Sequence, residues 1–489
     1  MFSIGLDIGS SSVKAALVDL LTQEVVGTAQ SPTTELPIAA PQPGWAEQDP
    51  EIWYEHCTRA IQHVLRAAKI PPPRVISIGL AYQMHGLVAI DREGKPVRPA
   101  IIWCDSRAID VGDAAFRALG QEYCLKHLLN SPANFTASKL RWVFEHEPRN
   151  YERIRYVMLP GDYVAYRLTG EVATTVCGLS EGILWDYVAA MPAHALLKHW
   201  EIDSALLPPL VPVFGRQGVL HRKAAEQLGL AAGTSITYRA GDQPNNALAL
   251  GVLCAGEAAL SAGTSGVVYA ATHQLLADTE QRVNSFAHVN YRPQSPSIGL
   301  LLCLNGCGAL YHWLRRLLGE RYTYAAMDQM AADAPAGADG LTLLPFGNGA
   351  ERLLNNRDVG ARLLNLQFNR HTPAHLCRGA LEGIACTFAF GIEHMKKLGF
   401  SPTALRAGSD GLFRSALFAQ MLADVTDLPI ALCDTSGAAG AARAAAIGLE
   451  AEEPPSHWPV KTLRHFEPMD SRNVYATIRE RWLHALEQL

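Results

Sequence analysis

No apolar run in this 489-residue sequence reaches bilayer-spanning length, because Gly, polar or charged residues interrupt every hydrophobic stretch, so a membrane partner is not expected. A Gly-x-x-x-x-Gly-Lys-Ser/Thr loop is absent, which excludes a P-loop enzyme on motif grounds. A Gly-x-Gly-x-x-Gly run after the first strand is missing too, which disfavours a dinucleotide enzyme. There is no CxxC pair among the ten cysteines; Cys303 and Cys307 come nearest, so reduced, mostly buried thiols are expected and a zinc site is not. Basic surplus is lacking as well: 42 Lys and Arg stand against 47 Asp and Glu, a net charge of -5 that argues against a nucleic-acid partner. Met1 leads straight into a predicted strand with no basic n-region or apolar h-region, so a cytoplasmic location is expected.

What is present describes a folded α/β protein. A length of 489 exceeds what one core normally serves, and 48% hydrophobic with 18% charged residues is an ordinary globular balance. The opening stretch organises the rest: an apolar run (Phe2, Ile4, Leu6) stops at Asp7, a turn of Gly9, Ser10, Ser11 and Ser12 follows, and Val13-Lys14 begins a second strand. Such a turn presents backbone N–H groups and hydroxyls toward one point, which suits a phosphate chain; Lys14 adds a positive charge and Asp7 could hold a hydrated divalent cation. An ordinary N-terminal hairpin accounts for the same residues equally well.

The remaining chain shifts that balance. Strands are expected at 24–30, 74–81, 155–159, 235–240, 341–345 and 429–433, and helices at 50–68, 106–119, 137–147, 308–318, 372–397, 413–426, 435–447 and 474–488. Glu257–Ala262, Gly263-Thr264-Ser265-Gly266 and Val267–Ala271 repeat the opening strand–turn–strand about 250 residues later, an internal duplication joined near 253. The expected domains are therefore 1–252 and 253–489. Polar clusters fall at the carboxyl ends of predicted strands, where open α/β sheets bind ligands. Asp242 follows one such strand and could take a proton from a sugar hydroxyl attacking a γ-phosphoryl group, or form an Asx-turn before a helix. Gln83, Met84 and His85 end another strand; Met84 and His85 could line a sugar pocket, His85 by hydrogen bonds to hydroxyls, or His85 could be a structural histidine at a strand end. Trp103, Asp105 and Arg107 combine an apolar face, an acceptor and a fork of donors; a helix cap with a core Trp is the alternative. Gly408 to Gly411 and Gly437 to Gly440 allow close backbone approach to a flat ligand, or, for the second, a tightly packed helix start. Glu351-Arg352 reads as a surface ion pair.

In this order and spacing the motifs resemble the FGGY carbohydrate kinases, and within them the branch acting on xylulose. The resemblance runs from Asp7-Ile-Gly-Ser to about Gly448. It rests on the Asp7–Lys14 turn, Gly44-Trp45-Ala-Glu47-Gln48-Asp49-Pro50, Gln83-Met84-His85-Gly86, Trp103-x-Asp105-x-Arg107, Phe135 to Trp142 with Lys139, Gly241-Asp242 and Ala262 to Gly266. It implies two duplicated actin-like (ribonuclease H-like) domains flanking a catalytic cleft, and transfer of the ATP γ-phosphate to a sugar hydroxyl with Mg²⁺. D-xylulose is the substrate it implies first; a kinase for sedoheptulose, ribulose or glycerol, or a non-catalytic actin-like ATP-binding protein, are the alternatives. Asp242 is implied as base, and Asp7 sits with it beside the metal. Gln83, Met84, His85, Trp103, Asp105, Arg107 and Asp242 are implied at the sugar. Gly9, Ser10, Ser11, Lys14, Gly263, Thr264, Ser265, Gly408, Ser409, Asp410 and Ser415 are implied at ATP. A second copy of the chain is the one macromolecular partner left open. The sequence departs from the family pattern in Gln243-Pro-Asn-Asn after Asp242, in residues 347–356, and in Gly408-Ser-Asp-Gly-Leu-Phe-Arg414.

Overall fold

Three short apolar segments open the chain. In the computed structural model, which describes residues 1–319, 321–452, 458 and 460–489, they form an antiparallel meander of β1 (Phe2–Ile8), β2 (Val13–Asp19) and β3 (Val25–Ser31). Helix α1 (Pro50–Ala68) starts where Asp49-Pro50-Glu51 predicts, with the Asp49 carboxylate accepting the Glu51 N–H at 3.0 Å. It returns the chain so that β4 (Val75–Tyr82) runs parallel to β1. The long excursion that follows carries α2 (Thr136–His146) and α3 (Pro160–Thr169). It comes back through β5 (Phe214–Val219) and β6 (Ser235–Gly241), the latter parallel to β4, and ends in α4 (Asp242–Ala249). The sheet order is β5-β6-β4-β1-β2-β3.

The second half rebuilds that plan. Its strands are β7 (Glu257–Ala262), β8 (Gly266–Thr272), β9 (Asn284–Ala287), β10 (Ile298–Leu304), β11 (Ala404–Gly408), β12 (Ile430–Cys433) and β13 (Thr462–Phe466). They lie in the order β9-β10-β8-β7-β11-β12-β13. Pairing directions repeat as well: β7 is antiparallel to β8 and parallel to β11, as β1 is to β2 and β4. The helices are α5 (Gly308–Leu317), α6 (Tyr324–Asp333), α7 (Pro373–Lys397), α8 (Ala416–Thr426), α9 (Gly437–Ile447) and α10 (Arg472–Glu487). The expected two-domain α/β duplication is therefore observed.

Strands β5, β9, β10 and β13 and helix α6 fall where none was expected. β10 is a buried apolar run with no polar alternation, and β13 is a largely exposed edge strand, so neither carries the usual period-2 signal. All ten cysteines are free, with Cys104 and Cys254 exposed. No helix among the described residues is long and apolar enough to cross a membrane.

Helix α9 belongs to the second half in sequence but packs on the first sheet, over β1, β4 and β2. Its composition is almost entirely Ala and Gly, so backbone meets backbone. A Cβ on Gly5 would overlap the Ala438 carbonyl oxygen, and one on Gly79 the Ala441 carbonyl oxygen. The Thr237 hydroxyl on β6 donates to the Ala445 carbonyl at 2.6 Å, and the Asn245 side chain on α4 donates to the Gly437 carbonyl at 2.9 Å. Of the two readings of Gly437–Gly440, the tightly packed helix start is the one observed. Gly79→Ala should force α9 outward and destabilise the protein by about 1–3 kcal/mol in urea unfolding; an unchanged midpoint would contradict this packing.

Candidate active site

Register fixes the two carboxylates at one sheet edge. Asp7, next to last in β1, pairs with Ala81 of β4, and Ala81 pairs with Ala240 of β6. β6 ends at Gly241, and Asp242 opens α4. Both carboxylates thus leave the same carboxyl edge with one strand between them, a main-chain separation of about 10 Å. The Asp7 carboxylate faces the first turn of α9: a Cβ on Gly437 would lie 2.8 Å from its Oδ2. Burial raises the Asp7 carboxyl above its ordinary range, and Lys14 across the hairpin partly offsets this. Burial, and then the charge of Asp7, push Asp242 up to about 7, against which its bonds to Gln243 act. A carboxylate that ionises near neutrality is suited to accept a proton and later release it.

Between them, β4 runs out through Gln83, Met84 and His85. His85 takes a left-handed backbone (φ 60°), and its ring sits against Phe135 and against Phe286 of β9, with centroids 4.9 and 5.1 Å away. Its Nδ1 lies 2.8 Å from the Glu181 carbonyl oxygen. That oxygen can only accept, so Nδ1 carries the proton and Nε2 offers a lone pair. Burial holds the imidazole neutral, its pKa lowered to about 3. The result is an acceptor shaped for a hydroxyl donor. Gln83 and Met84 are buried, and the Gln83 side chain donates to Gln48 at 3.3 Å. Gln48 in turn donates to the Ser10 carbonyl at 2.7 Å and accepts from the Trp53 indole. The Gly9–Ser12 turn is thereby tied to the end of β4, and the half-exposed Trp103 reaches the Ser10 hydroxyl at 3.4 Å.

Two expected sugar ligands are not brought to the cleft. Asp105 and Arg107 are buried in a forked pair at 2.7–3.0 Å. Asp105 also accepts the Ala46 N–H, and Arg107 reaches Glu47 at 2.7 Å while its guanidinium lies over the Trp45 and Trp142 rings. These contacts hold the fork against the 44–48 segment beside Trp103, and the buried Arg107 Nη1 is left without a hydrogen-bond partner. Lys139 works similarly: fully buried, it donates to the His85 and Ile102 carbonyls at 2.9 and 3.0 Å, and burial lowers its pKa to about 7. The Glu351-Arg352 pair is not on the surface either. Glu351 is buried and accepts the N–H groups of Asn305 and Leu353, and Arg352 donates to the Gln281 carbonyl.

Glu181 has no counterpart in the sequence reading. It lies in the short helix Val176–Glu181, is 2% exposed, and its Oε1 is buried without a hydrogen-bond partner. Gly241 is needed beside it, since a Cβ there would overlap Glu181 Oε2 and lie 2.6 Å from Met84 Cγ. Burial first, then the charges of Asp242 and Asp162, hold its carboxyl well above the ordinary range. A single acid inside a loop-rich stretch leaves no periodic trace, so nothing in the sequence pointed to it.

On the facing half, Gly263 and Thr264 line a cavity of about 900 Å³ together with Gly411, Leu412, Arg414, Ser415 and residues of α5 and α6. Helix α5 is clamped to the turn, with the Gly308 and Ala309 N–H groups donating to the Gly263 and Thr264 carbonyls. Gly408, Ser409, Asp410 and Ser265 are not among the lining residues; the 408–415 segment meets the cavity only from Gly411, which takes a left-handed turn against the Ala262 carbonyl.

Comparison with known sequences decides the family. The description "FGGY family of carbohydrate kinases, N-terminal domain" matches residues 2–249, and its C-terminal counterpart matches residues 258–449. The chain belongs to the FGGY family of carbohydrate kinases. It is similar to the xylulose kinase of Escherichia coli K12, 31% identical over 462 residues (92% of this chain, 90% of the relative). It is also similar to that of Klebsiella pneumoniae, 30% identical over 487 residues (98% and 97%). Among solved structures, the xylulose kinase from Rhodospirillum rubrum superposes with a TM-score of 0.86 at 28% identity, covering 100% of this chain and 99% of that one. A gluconate kinase from Lactobacillus acidophilus shares the fold, with a TM-score of 0.88 at 19% identity and coverage of 100% and 98%. This FGGY kinase is an ATP-dependent sugar kinase. Replacing His85 by Asn, which tolerates the left-handed backbone, should raise the sugar KM by about tenfold or more while leaving the ATP KM within about twofold; an unchanged sugar KM would remove His85 from the sugar site.

Proposed function

We propose that this kinase transfers the γ-phosphate of ATP to the 5-hydroxyl of D-xylulose, with Asp242 as general base. The observation that carries the chemistry is the pair Asp7 and Asp242 at one sheet edge, flanking the strand that ends at the Nε2 lone pair of His85. The choice of sugar draws on the xylulose kinase relatives, which match over most of their length. Residues 1–252 form the sugar domain, with Gly9, Ser10, Ser11 and Lys14 as the first phosphate turn. Residues 253–489 form the nucleotide domain, with Gly263 and Thr264 as the second turn and Gly411–Ser415 on the nucleoside side.

In this reading the sugar lies against Met84 and His85, and its 5-hydroxyl points at Asp242. The hydroxyl proton passes to the Asp242 carboxylate as the oxygen bonds to phosphorus, and the bond to the β-phosphate oxygen breaks to release ADP. Positioning and charge neutralisation carry most of the barrier lowering in a loose transition state. The donor set fits Mg²⁺: two aspartates, each held above its ordinary pKa and one raising the other, present hard oxygen ligands whose repulsion a divalent cation relieves. Asp7 and Asp242 would hold the ion, which would supply charge neutralisation at the phosphates.

Asp242→Asn should lower turnover with D-xylulose by about 10²–10⁴-fold. Because the folded-state pKa of Asp242 is raised above 3.8 to about 7, the stability linked to it is fully present below pH 3.8 and lost as pH rises through about 7. The neutral amide removes that loss, so the Tm of the variant at about pH 8 should not fall. Near-normal turnover would overturn the assignment. For the unmodified enzyme, kcat/KM should climb with pH through about 7 and then level; a flat profile from about pH 5.5 to about pH 8.5 would contradict Asp242 as base.

A further inference from the structure

The cavity beside Gly263 and Thr264 extends well past the phosphate turn. Gly308 and Arg316 both line it. They are eight residues apart on α5, so it follows that helix for about 12 Å, the reach of a nucleoside triphosphate from its terminal phosphates toward its base. Aromatic rings line it, with Trp313 48% exposed and Tyr324 45% exposed, and Tyr324 stacked on Tyr311 at 6.1 Å. Exposed rings on a concave wall suit a flat heteroaromatic ligand. One acid, Asp328 of α6, lines the same wall. The Tyr311 hydroxyl donates to its Oδ1 at 3.1 Å and Ser415 bonds the same carboxylate, so two neighbours orient a group whose roughly four lone-pair sites leave room for a further donor.

We propose that Asp328 reads the nucleobase, accepting a hydrogen bond from the exocyclic amine of adenine and thereby selecting ATP over 6-oxopurine triphosphates. The inference rests on the ATP-dependent kinase reading and assigns a residue of this chain to its nucleotide choice. A 6-oxopurine turns an oxygen toward the position the amine occupies, so two acceptors face each other in a partly desolvated wall and neither is paired. Burial also raises the Asp328 carboxyl above its ordinary range, against the hydrogen bonds of Tyr311 and Ser415. Ser415, which also lines the cavity, sits beside this carboxylate and caps α8 through the Phe418 N–H. Neither Asp328 nor Tyr311 belongs to the motifs through which the family resemblance was read: Tyr311 lies on the expected helix α5 and Asp328 on α6, where no helix was expected.

The test compares ATP with ITP as phosphoryl donors and, without turnover, ADP with IDP as ligands by calorimetry. The unmodified enzyme should prefer ATP and ADP by about 10- to 100-fold. Equal affinity for ADP and IDP would overturn the proposal whatever the variants do. Asp328→Asn, whose amide can donate to an oxo group, should bring the ATP/ITP ratio of kcat/KM within about fivefold of unity while the sugar KM stays unchanged. Tyr311→Phe, which frees the carboxylate plane, should give a ratio between the two. An ATP/ITP ratio in Asp328→Asn equal to that of the unmodified enzyme would also overturn it. Absence of any ATP-dependent turnover in the unmodified enzyme would instead strike at the kinase reading itself, so the two failures are distinguishable.

Discussion

The backbone contact between α9 and the first sheet is the constraint on which this molecule depends. Ala438 and Ala441 press their carbonyls into space that Gly5 and Gly79 leave free, and no larger residue fits at either glycine without moving the helix. Through that contact an element from one half of the chain seals the central strands of the other. It also brings the helix N-terminus to Asp7, where the partial positive charge of the first turn complements a carboxylate held in a poorly solvated place. The cleft between the duplicated sheets requires this crossing helix.

Around the cleft the polar groups divide into two kinds. Most are spent on one another: Gln48 ties the first turn to the end of β4, the Asp105–Arg107 fork is sandwiched by Trp45 and Trp142, and Lys139 pins two carbonyls. These networks fix where the few remaining groups stand. Those few are His85 with its Nε2 lone pair, Trp103, and the two aspartates, whose carboxyls burial raises, Asp7 against a partial offset from Lys14 and Asp242 with a further push from Asp7. Spending many buried bonds to place a small number of free acceptors is what a reaction governed by positioning requires.

Much of this was legible in the sequence. An apolar run that stops at an acid marks a strand edge, and finding that pattern at Asp7 and again at Asp242, with Gly-rich turns repeated near 9 and 263, gave the duplicated α/β fold and its carboxyl edge. What stayed hidden involves partners distant in sequence. Trp45, Asp105, Arg107 and Trp142 come from three segments, so nothing local signals that the arginine lies over two rings and pairs with Asp105 and Glu47. Glu351 and Arg352 look like a solvated pair until the loop of Asn305 is seen to wrap the carboxylate. Glu181 and Asp328 are single acids without motif neighbours. β10 and β13 break the period-2 rule in opposite directions, one buried throughout and one mostly exposed.

The most direct measurement is ADP release by the purified enzyme with ATP and Mg²⁺, taken across D-xylulose, gluconate and glycerol as acceptors. The account predicts that release depends on added sugar, that D-xylulose gives the highest kcat/KM, and that the product carries its phosphate on the 5-hydroxyl. ADP release indifferent to every sugar, or a product phosphorylated elsewhere, would contradict it.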